Sequence, residues 1–154
     1  MKPKICIVQA NYYKDISLNL YYGAQKVLSK HDFLPIVTAY PKRLKVVPGV
    51  FEIPVTIAKN INSYDAFIAL GCIIKGETAH FDLISRAVTN SIMNLSITHK
   101  KPIGNGIIAC FNKEQAMKRS LRTKKNNKGG EAARAVLSVL GILKDESKWS
   151  SPES

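Results

Sequence analysis

Short apolar runs alternate along this chain with stretches whose apolar residues recur at helical spacing. Ile5 to Ala10 reads as a first strand. Ile16, Leu20, Ala24, Val27 and Leu28 then fall on one face of a helix, with Asp15 placed to cap its start. Leu34 to Tyr40 predicts a second strand, with Pro35 near its beginning, where a missing donor costs least. A helix is expected over Phe51 to Asn60, with Pro54 in the first turn. Ala66 to Leu70 is continuously apolar, the pattern of a strand covered on both faces. Ile84, Val88, Ser91, Ile92 and Leu95 mark a long amphipathic helix, and Ile103 to Cys110 a fourth strand. Two helical segments close the pattern, at about Lys113 to Ser120 and Gly130 to Lys144. They flank a basic stretch from Leu121 to Gly129, and a polar tail starts at about Asp145.

Strands alternating with helices over short links predict an α/β fold with a parallel sheet covered by helices on both faces. The 154 residues fit one domain, 1–154. In such sheets ligands bind beyond the carboxyl ends of the strands. The turns at Gln9–Asp15, Pro41–Glu52, Gly71–Asp82 and Cys110–Lys113 are therefore where chemistry is expected.

Composition narrows this picture. Apolar residues make up 45% and charged residues 22%, ordinary globular usage. No run of about 18 apolar residues predicts a membrane span, and the apolar run after Met1 is too short for a signal peptide. A cytoplasmic protein with no membrane partner is expected. Cys6, Cys72 and Cys110 are odd in number and widely spaced, which argues against a disulfide framework or a zinc site and for buried, reduced packing residues. The excess of 23 basic over 11 acidic residues, +12 in all, raises the question of nucleic acid. The charge is spread out apart from Lys118 to Lys128, and no RNA- or DNA-binding motif accompanies it. No nucleic-acid partner is expected, and a basic segment equally suits a small phosphorylated substrate.

The third turn, Gly71-Cys-Ile-Ile-Lys-Gly-Glu-Thr-Ala-His-Phe-Asp82, is the richest. Gly71 and Gly76 relax the backbone, and Gly76-Glu77-Thr78 can present amides to an anion near the next helix. His80 either caps and packs or shuttles protons near neutral pH. In the second turn Glu52 stabilises a helix dipole or holds a ligand. In the first, Tyr12 and Tyr13 offer rings for surface packing or for stacking on a planar heterocycle. Dinucleotide, P-loop and nucleophile-elbow signatures are absent.

Taken in order, Val47-Pro-Gly-Val-Phe-Glu-Ile-Pro54, Leu70 to Asp82, Glu114-Gln-Ala116 and Asn127-Lys-Gly129 resemble the lumazine synthases, from Lys4 to about Leu143. The resemblance implies a flavodoxin-like three-layer α/β/α sandwich with a four-stranded parallel sheet. It implies a transferase of riboflavin biosynthesis that condenses 5-amino-6-(ribitylamino)uracil with 3,4-dihydroxy-2-butanone 4-phosphate. The product would be 6,7-dimethyl-8-ribityllumazine, and no cofactor or metal is required. Tyr12 would stack on the pyrimidine, and Val50, Phe51 and Glu52 would wall the ring and ribityl chain. The backbone of Cys72, Ile73 and Ile74 would bond the pyrimidinedione edge. Glu77 and Thr78 would seat the phosphate and His80 would carry protons. Asn105 and Arg119 would come from a neighbouring subunit, Arg119 holding the phosphate that Lys128 helps orient. The partners implied are the two substrates and further copies of the chain.

Several positions depart from the family's usual pattern. Asn105 stands where a large apolar residue is common, Ala109-Cys110 replaces Thr-Thr, and Tyr13 replaces Asn. The segment from Arg119 to Asn127 is one residue longer, which makes Arg122 a rival of Arg119, and Asn126 is expected to supply a left-handed backbone there. These departures motivate an alternative, a catalytically weak homologue that holds lumazine or flavin. The extra residue and short N-terminus lead to the expectation of a free pentamer, or two stacked.

Overall fold

The fold is described from a computed structural model over residues 2–33, 43–123 and 125–143. The elements run β1 Ile5–Ala10, α1 Lys14–Lys30, β2 Leu44–Val47, α2 Ile53–Lys59, β3 Ala66–Ile74, α3 His80–His99, β4 Ile103–Cys110, α4 Lys113–Arg119 and α5 Lys128–Val139. The sheet order is β2-β1-β3-β4 and every pairing is parallel.

The central strands explain the layering. Along β1, Ile5 and Ile7 enter a core with α1 and α5, whereas Cys6, Val8 and Ala10 enter a second core with α2 and α3. Along β3, Ala66, Ile68, Leu70 and Cys72 join the first core, and Phe67 and Ala69 the second. This is the period of two of a strand, with both faces covered and apolar apart from the buried Gln9 of β1. Ile5, Ile7, Phe67, Ile68 and Leu70 are fully buried. Each contributes roughly 1.5–3 kcal/mol relative to an exposed side chain.

The expected helices and three of the expected strands are present, with shifted ends. β3 extends past Leu70 to Ile74, so the richest turn starts later than its composition indicates. The last helix begins at Lys128 and ends at Val139. The strand expected at Leu34 to Tyr40 and the tail from 145 fall outside the described residues, and the edge strand is Leu44–Val47. Asp15 is not the cap of α1. Tyr13 occupies that position, and Asp15 lies in the first turn, accepting from the Ile16 amide at 2.9 Å and pairing with Lys113 at 3.2 Å. Left-handed backbone among the described residues occurs at Asp32, Lys100 and Gly141, not at Asn126, Gly71 or Gly76. Gly71 is required by proximity instead: a Cβ there would stand 2.7 Å from Val50 Cγ1.

α5 packs on α1 through a seam of glycines held by one buried asparagine. The Asn127 side chain accepts from the Gly129 and Gly130 amides, at 2.8 and 3.1 Å, capping α5. Its amide donates to the carbonyls of Asn19, Ser120 and Leu121, which fixes the basic loop against α1. A Cβ on Gly129 would overlap the Leu20 carbonyl, and one on Gly23 the Asn127 side chain. Because backbone cannot move aside as a rotamer does, Gly129→Ala should cost more than the roughly 1 kcal/mol that alanine gains in a helix. We expect a net loss of about 2 kcal/mol, read as a lower urea midpoint. An unchanged midpoint would show that the seam opens freely.

Burial raises the Cys6 and Cys72 thiols from the ordinary value of 9.0 to about 12, which keeps them neutral. An unfolded chain releases these protons earlier, so their contribution to stability is complete below pH 9.0 and is lost as the pH rises toward about 12. Urea midpoints should therefore fall through that window, and less steeply in Cys6→Ala/Cys72→Ala. Parallel pH profiles in the two proteins would contradict it.

Candidate active site

β1 is flanked by β2 on one side and β3 on the other, so the chain order reverses at the β1–β3 pair. At such a switch point the connections leave the sheet in opposite directions and open a crevice beyond the strand ends. A cavity of about 540 Å³ lies there, lined by Tyr12, Tyr13, Val50, Phe51, Cys72, Ile73, Ile74 and His80, with Gly49 and Ile84.

Each wall has a local cause. Tyr12 and Tyr13 follow the end of β1, their rings edge to face at 4.9 Å and 78°. Tyr12 remains 75% exposed, so its face is open to a flat ligand. Tyr13 faces the interior, and burial is the main cause that raises its phenol above the ordinary value, with Tyr12 and Cys72 adding to it. The second wall rises from the turn at Val50–Glu52, where Glu52 Oε1 accepts the Gly49 amide at 2.9 Å and the Glu52 amide donates to Gly49 O at 3.2 Å. That capping box pushes Val50 inward against Gly71 and leaves Phe51 61% exposed at the rim. The third wall is the end of β3, half-buried at Ile73 and Ile74. His80 is the first residue of α3, exposed, with its amide donating to Thr78 Oγ1 at 3.3 Å. One turn on, Ile84 shares its helix face.

Thus Tyr12, Val50, Phe51, Cys72, Ile73, Ile74 and His80 meet at one cavity. Other expected site residues do not line it. Glu52 braces the wall from behind through Gly49. Glu77 and Thr78 lie in the exposed loop before α3, and their amides engage no acceptor among the described residues. Asn105 is on the exposed outer face of β4, its Oδ1 taking the Ile107 amide at 3.1 Å. Arg119 ends α4 with Nη1 3.6 Å from Cys110 Sγ, at the strand end beside Ile74. Its rival Arg122 turns to α1, stacked 3.9 Å over the Tyr22 ring and bonded to Asn19 at 2.9 Å. Lys128 pairs with Glu131 at 3.0 Å on the first turn of α5. Sequence reasoning offered Tyr13 beside Tyr12 as a ring for packing or stacking, and missed Gly49 and Ile84 as lining residues. Gly49 was signalled only by its place in the Val47 to Pro54 motif, and Ile84 by its spacing of four from His80.

Known proteins give the frame a relation. Residues 2–144 match the family described as 6,7-dimethyl-8-ribityllumazine synthase. Relatives carrying that name include one from Bartonella tribocorum, 40% identical and covering 93% of this chain and 91% of the relative, and one from Agrobacterium fabrum, 39% identical over 93% and 96%. A "6,7-dimethyl-8-ribityllumazine synthase 1" from Rhodopseudomonas palustris is 41% identical over 90% of this chain and 85% of its own length. The chain belongs to the 6,7-dimethyl-8-ribityllumazine synthase family.

Proposed function

We propose that the chain, read as one domain over 1–154, condenses 5-amino-6-(ribitylamino)uracil with 3,4-dihydroxy-2-butanone 4-phosphate in the β1–β3 crevice, as a cytoplasmic enzyme of riboflavin biosynthesis. The observation that carries this reading is the convergence of Tyr12, Val50, Phe51, Cys72, Ile73, Ile74 and His80 on one cavity. A flat pyrimidinedione stacks on the open ring of Tyr12, with Phe51 covering its other side. The polar edge of the ring meets the backbone at Cys72–Ile74, where the last strand residues pass beyond the covering helices. Glu52, already fixed by Gly49, keeps acceptor capacity for ribityl hydroxyls.

The butanone phosphate binds with its phosphate on the uncommitted Glu77 and Thr78 amides at the start of α3, beside His80. The 5-amino group then attacks the ketone carbonyl and water leaves. Phosphate is eliminated, and the ribityl nitrogen closes the ring with loss of water. Each step moves a proton, and the His80 imidazole serves in turn as base and acid. The walls hold two reactants together, which supplies much of the remaining acceleration.

Arg119, Lys128 and Asn105 act from a neighbouring copy. α3 is 20 residues long, yet Leu83, Met93 and Ile97 along it are exposed, at 68%, 57% and 67%. An apolar band of that kind suits burial against further copies of the chain. We place the protein in a pentamer, free or stacked in pairs, with each site completed by the Arg119 of the adjacent subunit.

His80→Asn should lower turnover about ten-fold or more, measured by product fluorescence, as removal of a proton-transfer group does. Arg119→Ala should chiefly raise KM for the phosphorylated substrate. Co-refolding the two variants in equal amounts should return roughly a quarter of the sites to full competence, because some interfaces then pair an intact His80 with an intact Arg119. Additive activities with no recovery would place both residues in one subunit's site.

A further inference from the structure

A second cavity, of about 100 Å³, lies at the far end of α1 and shares no residue with the first. Tyr12 and Tyr13 precede the first turn of α1, whereas Lys26 and Lys30 are in its last turns, so the two cavities are separated by roughly 18 Å of helix. Lys26 and Lys30 from α1, Arg122, Thr123 and Lys125 from the loop before α5, and Arg134 from α5 surround it.

The arrangement follows from the glycine seam. Gly23 on α1 makes room for the Asn127 side chain, and Gly129 and Gly130 face the Leu20 and Gly23 carbonyls, so the two helix backbones come close. The long basic side chains flanking the seam therefore converge on its rim. Two of them are fixed. Arg122 is stacked on Tyr22 and bonded to Asn19, and Arg134 Nη2 donates to the Lys125 carbonyl at 2.9 Å, which also holds the loop in place. None of the five cations is within ion-pair distance of a carboxylate among the described residues, although Lys113, Lys118 and Lys128 each have one. A ring of like charges around a concave space, uncompensated by acid and partly immobilised, is unfavourable when empty.

We propose that this cavity is an anion site for a phosphoryl group, free or carried on a small molecule, separate from the phosphate seat of the reaction. The chemistry of the rim selects that class. Guanidinium forks and ammonium groups, with a threonine hydroxyl, match an oxyanion that accepts from several sides. A space of about 100 Å³ holds a phosphoryl head and leaves any attached group outside. A nucleic-acid backbone, by contrast, presents repeated charges that call for an extended track.

The test is calorimetric titration of the full chain with inorganic phosphate and with glycerol 3-phosphate, at ionic strength fixed by chloride. Saturable binding of either should weaken ten-fold or more in Lys26→Gln/Arg134→Gln, while turnover is retained and shows that the variant is folded. Arg119→Ala should leave this binding in place, which separates it from the reaction's own phosphate seat. In phosphate-free, low-salt buffer Lys26→Gln/Lys30→Gln, which leaves the Arg134 bond to the Lys125 carbonyl in place, should melt above the wild type, because like charges have been removed. Equal phosphate affinity in wild type and Lys26→Gln/Arg134→Gln would overturn the proposal. So would a heat reproduced by chloride alone, or charge-dependent binding of single-stranded RNA with no saturable binding of phosphate.

Discussion

The constraint from which the rest follows is that β1 and β3 are buried on both faces. A strand with a helix layer on each side has no place within it for an exposed ring, an imidazole or a solvated carboxylate. Apart from Gln9, Ile5 to Ala10 and Ala66 to Leu70 accordingly spend their side chains on two cores, and chemistry is displaced to where the strands stop. Tyr12 appears two residues after β1 ends, and His80 opens the helix that follows β3. Both ends lie at the one place where the strand order reverses, so one geometric fact supplies both the crevice and its lining.

The crevice keeps its shape through two close approaches that involve glycines. Gly71 lets Val50 press on the end of β3, and the Gly49–Glu52 capping box aims Val50 and Phe51 into position. Gly23 and Gly129 let α5 sit on α1, with Asn127 joining α1, the end of α4 and the basic loop. The first approach shapes one wall of the cavity, and the second sets where Arg119 and Lys128 lie at the surface. The placement of Arg119, proposed to hold phosphate for a neighbour, thus depends on a buried asparagine.

What was legible in the sequence divides along the same physical line. Elements whose burial writes a period were readable: Ile5 to Ala10, the α1 face from Ile16 to Leu28, and Ile103 to Cys110 all fall where their patterns indicate. The edge strand Leu44–Val47 was not, because an edge strand is only half-covered and Lys45 and Val46 give no clear alternation. Asp15 has the chemistry of a cap, yet the chain turns at Tyr13 and Lys113 takes the carboxylate. Gly71 and Asn126 are residue types associated with unusual backbone, but the first is needed for space and the second is not left-handed. The site was legible where a motif combines with a strand end, as at Tyr12, Val50–Phe51 and Cys72–His80. It was not legible where a side chain reaches the cavity only through packing, as with Ile84.

Charge follows from this layering as well. Carboxylates are few, and several are committed: Asp15 to Lys113, Glu52 to Gly49, Asp65 to the Lys4 amide, Glu114 to Lys118 and Glu131 to Lys128. The excess of basic groups therefore gathers where no acid is at hand, and the end of α1 beside α5 is such a place. The face built by α3 takes the opposite course, with Leu83, Met93 and Ile97 left in solvent. α3 thus leaves apolar side chains in solvent, whereas the end of α1 beside α5 gathers positive charge.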